Sequence, residues 1–266
     1  MPKFLQVLTG FATAPSTTQT ALTMGAGDSL QVKGNKENSP VKLIAAWADN
    51  QTAGYVRVRS TRMHDAAQGI RLRSVASDAE NLIPQCGIQR LFQGDVLIAD
   101  ISGSATAGDI ETAAMLLYYE DLTGSDANLI TYDELWKRGI NQIGIENTLA
   151  LGTGGGYSGS EAINAEYDLL KANTWYALAG YLTDTECATL GWTGPDWANG
   201  RVGGPGNETE KEMTANWFAR LARDTALPVI PVMNGSNKGN TTIDGAQDEN
   251  GADPLVISLF VELAPR

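Results

Sequence analysis

"PLVISLFVELAPR", residues 254–266, reads as a buried strand placed at the end of the chain, and its likeness to "AMLLYYEDL", residues 114–122, decides how the rest is parsed. Both run from an aliphatic stretch to an aromatic residue (Tyr119 or Phe260), then to Glu120 or Glu262 and to Leu122 or Leu263. A free edge this apolar invites aggregation, so the segment is expected to pair inside a sheet.

Three further pairs occur in the same order. "QVLTGFATA" is answered by "QIGIENTLALG", "VKLIAAWAD" by "WYALAGYLTD" and "GDVLIADISGS" by "LPVIPVMNGS". The second pair sets Ala45, Ala46 and Trp47 against Ala179, Gly180 and Tyr181, and "DSLQVKG" stands where the second copy has "YDLLKAN". The offset stays between about 134 and about 142 residues, which points to duplication of a unit of about 130 residues. The expected organisation is a first half over 1–122, a connector over 123–139 with a short helix at Tyr132–Arg138, and a second half over 140–266.

Each unit is a run of short apolar segments bounded by turn residues. In "GYVRVRS" Val56 and Val58 fall on one face and Tyr55, Arg57 and Arg59 on the other, and "GIRLRS" repeats the pattern with Ile70 and Leu72 inward. Such spacing reads as a sandwich or barrel rather than as alternating strands and helices. A helical turn is expected at Ser77–Glu80, ended by Pro84. The halves differ by an insertion: a long loop over about 191–208, then an amphipathic helix over about 209–223. Thr209 and Glu212 form its capping box, and Met213, Trp217, Phe218 and Leu221 form its apolar side.

Bulk properties exclude several classes. The net charge of −12 repels phosphate backbones, so no direct nucleic-acid binding is expected. The N-terminus lacks the apolar core of a secretory signal and no segment reaches the roughly 20 apolar residues of a membrane span, so the chain is expected to be made without export. On that expectation the sequons at Asn50, Asn207, Asn234 and Asn240 are incidental. Cys86 and Cys187 stand far apart in no metal or redox spacing and read as buried thiols.

Catalytic apparatus is missing from the sequence. The only histidine, His64, reads as a loop residue beside Asp65. "GGGYSG", 154–159, satisfies the glycine pattern of a dinucleotide loop but lacks its βαβ surroundings, so it reads as a connection between strands. Asp244, Asp248, Glu249 and Asp253 crowd one stretch, either a solvated loop or a set of oxygen ligands for calcium. The reading is of no catalytic, cofactor or metal site. Arg57, Arg59, Arg62, Arg71 and Arg73 form the one charge anomaly: a solvated sheet face, or a basic strip that meets an acidic neighbouring copy or lipid headgroups.

Two similar all-β halves of some eight strands each, with a helix and loops inserted late in one, resemble the double jelly-roll major capsid proteins of tailless icosahedral viruses of bacteria or archaea. The paired segments quoted above carry that resemblance over nearly the whole chain, without a signature motif. It implies two tandem eight-stranded jelly rolls with a few short helices and long loops. It also implies a homotrimer of pseudo-hexameric outline that contacts neighbouring capsomers and minor capsid or penton proteins, and residence in the virion after synthesis in the host cytoplasm. The loop at 191–208 would be an outer tower, and the acidic balance fits a shell separated from the genome by an internal membrane. The chain is short for the family and has no long basic arm. A two-domain β-sandwich that binds or processes glycans is the alternative, with Trp192 and Trp197 as sugar-stacking platforms.

Overall fold

The computed structural model describes residues 2–13, 20–21, 23–24, 32, 41–49, 54–63, 69–74, 80–82, 89–92, 94–102, 106, 109–120, 124, 126–152, 155–185, 187–206, 214–247 and 253–265. The protein is all-β, with antiparallel sheets and a few short helices. In the first half the strands are β1 (Lys3–Thr13), β2 (Thr20–Ala21), β3 (Thr23–Met24), β4 (Val41–Asp49), β5 (Gly54–Arg59), β6 (Ile70–Ser74), β7 (Glu80–Leu82), β8 (Gln89–Leu91), β9 (Ile98–Ser102) and β10 (Ile110–Glu120). One sheet runs β3-β1-β10-β4-β7, with β8 also on β4, and the other runs β2-β9-β5-β6.

The second half opens with β11 (Leu129–Ile130) and α1 (Tyr132–Arg138). It continues with β12 (Gly139–Thr148), β13 (Tyr157–Ala162), β14 (Trp175–Thr183), β15 (Cys187–Thr193), β16 (Arg201–Gly206), α2 (Trp217–Thr225), β17 (Ile230–Asn234), β18 (Thr242–Ala246) and β19 (Leu255–Leu263). Its sheets run β11-β17-β14-β19-β12 and β13-β18-β15-β16. The closing segment therefore lies between two partners, as its apolar character requires: Phe260 stands opposite Ile143 on one side and Leu178 on the other. β10 lies likewise between β1 and β4.

The two halves share one strand order. Counting the principal strands of each from first to eighth, one sheet runs first, eighth, third, sixth and the other second, seventh, fourth, fifth. The halves also share an irregularity. The ladder of β10 on β4 skips Ile44 between Leu116 and Leu117, and the ladder of β19 on β14 skips Ala179 between Leu259 and Phe260. Two bulges at corresponding places align Leu116 with Leu259, Ala45 with Gly180 and Ala46 with Tyr181.

This register corrects the sequence alignment. Trp47 corresponds to Leu182, not Tyr181, and Tyr119 falls at the place of Glu262, not Phe260. A slip of one residue reverses the face of a strand side chain. Trp47 accordingly points out of its own sandwich, whereas Tyr181 points into its own, where it packs on Trp192 at 4.9 Å and donates to the Pro205 carbonyl at 2.7 Å. The topology also replaces one pair. "LPVIPVMNGS" supplies β17, which lies on the start of β14 as β8 lies on the start of β4. The counterpart of β9 is β18, and "IADIS" aligns with "TIDGA", an aspartate third in each.

Other expectations change as well. The segment 191–206 is no tower: it is the end of β15, a 3-10 turn at Pro195–Trp197 and β16, a hairpin closed by pairs such as Trp192 with Val202. The glycines that suggested a loop are there for close approach, since a Cβ at Gly203 would strike the Leu190 carbonyl. Glu80 is in strand β7 rather than a helical turn, while Ser77 and Pro84 lie outside the described residues. So do the capping box at Thr209 and Glu212, Met213, and "DSLQVKG" apart from the buried Val32. The amphipathic helix is present as α2, with Trp217, Phe218, Leu221 and Ala222 buried.

The connector helix forms where expected. Thr131 accepts the Glu134 amide at 3.2 Å, and Lys137 and Arg138 reach back one turn to Asp133 and Glu134. The connector also contributes β11, which joins the second half by pairing with β17. No helix among the described residues is long and apolar enough to cross a membrane.

A single apolar cluster runs through both halves. The sheet holding β1, β10 and β4 packs on its own partner sheet by one face and, by the other, on β15 and β16 of the second half. The four sheets thus form a stack, and its central seam joins the two halves.

Candidate functional site: the seam and the two outer faces

At the seam the first half presents Val7, Thr9, Ala45, Trp47, Ala114 and Leu116. Trp47, 1% exposed, meets Trp217 edge-on at 5.7 Å and donates its indole N–H to the Ala188 carbonyl at 3.2 Å. Val7 abuts Gly203, and the Thr9 and Tyr157 hydroxyls lie 2.7 Å apart. Behind Tyr157 sits an ion pair: the Arg201 guanidinium lies 3.8 Å over the Tyr157 ring and donates to Asp244 at 2.8 Å. Burial pushes the Asp244 carboxyl up, against the opposing pull of Arg201.

The first half carries a related device on its outer sheet, facing away from the seam. Arg57 and Arg59 both donate to one oxygen of Asp100, at 2.8 and 2.9 Å. Beside them the Arg71 guanidinium lies 5.5 Å over the Tyr55 ring. Val56 and Val58 are buried beneath, as the alternation predicts. Although burial raises the Asp100 carboxyl, the two guanidinium groups outweigh it and hold it below the usual carboxylate range. Of the five arginines, Arg57, Arg59 and Arg71 are thereby gathered on one surface. Arg62 is exposed beyond the end of β5, and the Arg73 side chain lies outside the described residues.

Asp100 and Asp244 occupy equivalent places. Asp100 pairs across the ladder with Arg57, which faces Arg71; Asp244 pairs with Gly191, which faces Gly203. Where the buried seam has two glycines, the outer sheet has two arginines. No sequence signal distinguishes the two aspartates, because what separates them is which sheet the other half covers.

The outer face of the second half, at the opposite end of the stack, is built by β12, β19 and β14. Its cross-strand rows are Gln142, Val261 and Ala177; Gly144, Leu259 and Gly180; and Glu146, Ile257 and Leu182. Ile257, Val261, Leu182 and Glu146 are half-buried, and Gln142 and Gly144 are exposed. The segment before α2 covers part of this face, since a Cβ on Gly180 would strike the Ala215 and Thr214 carbonyls.

A cleft of about 600 Å³ opens beside this face, lined among others by Lys3, Asp126, Asn128, Arg138, Trp175 and Glu262. In its wall Arg138 donates to the Ala264 carbonyl and Glu134, and Glu262 faces Lys171 at 3.5 Å. Trp175 is 37% exposed at its wall.

The remaining candidates separate. Trp192 and Trp197 are fully buried, donating to Ser258 and to the Val232 carbonyl, so neither is a sugar platform. From Tyr157 the "GGGYSG" segment enters strand β13, with no helix to receive a pyrophosphate. Asp244 is committed to Arg201 and Asp253 accepts the Leu151 amide; Asp248 and Glu249 lie outside the described residues. Among the described residues no group of metal-ligating side chains gathers. Cys187 is a buried thiol that donates to the Thr189 carbonyl at 3.9 Å; Cys86, His64 and Asp65 lie outside the described residues.

No family model matches the chain, and no curated protein matches it in sequence. Among solved structures it is similar to the PBSX exported protein XepA, at 8% identity and a TM-score of 0.28 over 97% of this chain and 86% of that one. It is also similar to the insecticidal delta-endotoxin Cry8Ea1 of Bacillus thuringiensis, at 12% identity and a TM-score of 0.21 over 99% of this chain and 53% of that one. Likenesses at that level assign neither an activity nor a partner.

Proposed function

We propose that the chain is a structural protein, the major capsid protein of a tailless icosahedral virus, whose halves 1–122 and 140–266 are jelly rolls joined by 123–139. Three copies form a pseudo-hexameric block, and the blocks tile a shell together with minor or penton proteins, around an internal membrane where one is present.

The observation that supports the reading is the repeated strand order: first, eighth, third, sixth in one sheet and second, seventh, fourth, fifth in the other, which is the order a jelly roll would have in each half. The buried seam supports it further, because tandem jelly rolls held rigidly side by side supply two of the six positions in such a block. With 191–206 folded into a hairpin, the outer surface of the block would be low at that point.

Negative-stain images of the purified chain test the proposal. Roughly hexagonal particles of three copies, or closed shells, are the expected result, and a strictly monomeric chain at high concentration overturns it. The cleft favours a second reading, a carbohydrate-binding module, because Trp175 stands beside Asn128, Asn173 and Asp126 in the manner of a sugar site. Calorimetric titration with oligosaccharides distinguishes the two: binding that is lost in Trp175→Ala supports the module.

A further inference from the structure

We infer that the seam inside the chain is the template for contacts between copies: the second half's outer face docks on the basic outer sheet of the next copy's first half. The inference rests on the shell reading for its closed ring, but its surfaces come from the repeat.

The register assigns each seam residue a counterpart. Thr9, Val7 and Trp47 of the first half correspond to Glu146, Gly144 and Leu182 of the second. The former are buried against β15, β16 and β13; the latter are exposed or half-exposed on the equivalent face. On the receiving side, Gly191 and Gly203 next to Asp244 correspond to Arg57 and Arg71 next to Asp100. The chain therefore contains one complete seam and, at the two ends of its stack, the two unjoined halves of another.

The substitutions between the buried and the open versions are complementary. The donor face exchanges the neutral Thr9 for Glu146, and the receiving face exchanges two glycines for Arg57 and Arg71. In the seam Val7 meets Gly203 and Thr9 meets Tyr157, so the template sets Gly144 over Arg71 and Glu146 two residues along the same strand, a carboxylate beside the guanidinium groups on a protein of net charge −12. The half-buried Leu182, Ile257 and Val261 supply the apolar part of the contact. The occupant is a second copy, since a lipid surface on the basic face would leave the aliphatic residues at the opposite end of the stack uncovered, and a lipid surface on that opposite face would be repelled by Glu146.

Light scattering on the full chain across a range of concentrations, with Glu146→Arg, Arg71→Glu and Gln142→Trp, tests the pairing, and circular dichroism checks that each variant folds. Each single variant should raise the dissociation constant roughly tenfold or more. The double charge swap Glu146→Arg with Arg71→Glu should restore association, which a merely structural defect would not do. A trimer unaffected by all three variants overturns the pairing and leaves the shell reading in place. Association that responds to the variants but grows into open chains keeps the pairing and overturns the closed trimer. A wild-type chain that stays monomeric overturns both.

Discussion

Trp47→Ala probes the seam at its largest buried side chain. The indole is 1% exposed, stands edge-on to Trp217 and donates to Ala188 across the two halves. Removing a buried tryptophan costs about 3–5 kcal/mol through lost burial and the cavity left behind. That range already contains the edge-to-face term of about 0.5–1.5 kcal/mol and the orphaning of the Ala188 carbonyl, about 1–3 kcal/mol. Against a total stability of about 5–15 kcal/mol the loss is a large fraction. Urea titration followed by tryptophan fluorescence and circular dichroism measures it. Because one apolar cluster spans both halves, the wild type should unfold in one transition, and Trp47→Ala should lower the midpoint and separate the two probes as the halves uncouple. A double-mutant cycle with Trp217→Leu should give a coupling of about 0.5–1.5 kcal/mol. A loss below about 1 kcal/mol for Trp47→Ala, smaller than any of these mechanisms allows for a buried tryptophan, would refute the seam.

Three shorter predictions accompany it. Deleting 255–263 removes the strand between β12 and β14, so the second half should not fold in soluble form; a truncated chain with a native circular dichroism spectrum contradicts the assigned sheet order. Gly180→Ala drives a Cβ into the Ala215 and Thr214 backbone beside the bulge and should cost about 1–3 kcal/mol in denaturant titration, while Gly94→Ala, where a Cβ meets no neighbour, should cost less than the same change at Gly180 despite its positive φ. Asp100 is held low by Arg57 and Arg59, so its contribution is fully present above the unfolded aspartate value of about 3.9 and is lost as pH falls through its lower folded value. Asp100→Asn should therefore be less stable than wild type at pH 7, and the gap should close in acid; a gap that widens in acid contradicts the ion pair.

Much of the fold was legible in the sequence because the relevant signals are local. Period-two alternation in "GYVRVRS" marked the buried Val56 and Val58, turn residues bounded "VKLIAAWAD" to the residue, and the short helix expected at Tyr132–Arg138 is α1. The repeat was legible too, but its register was not. A bulge adds one residue to one strand without leaving a sequence signature, so matching Trp47 to Tyr181 by aromatic character shifted the alignment by one place and reversed the face. The hairpin at 191–206 was misread because glycines that permit close packing look, in composition, the same as glycines that permit turns. The interaction surfaces were half legible: the arginines announced themselves, whereas the matching face of β12 and β19 is defined only by which sheet the other half leaves uncovered.

A tandem pair of similar units leaves an odd surface over. If each unit has a donor face and a receiving face, one joint forms within the chain, and one donor and one receiver remain at its ends. Such a contact is heterologous, so it either closes into a ring or continues as a filament. The two aspartates register this asymmetry physically. Asp244, buried in the completed joint, has its carboxyl pushed up by desolvation, while Asp100, on the open receiver, is held down by two half-exposed arginines. If copies join by the same contact, covering the receiver withdraws water from Asp100 and moves it toward the condition of Asp244, while Glu146 brings a second carboxylate to the same guanidinium groups. The contact draws on charged carboxylates facing guanidinium groups, so neutralising the acidic groups as pH is lowered should weaken assembly. An association constant that rises as pH is lowered toward the carboxylate range while the chain stays folded would contradict the proposed contact.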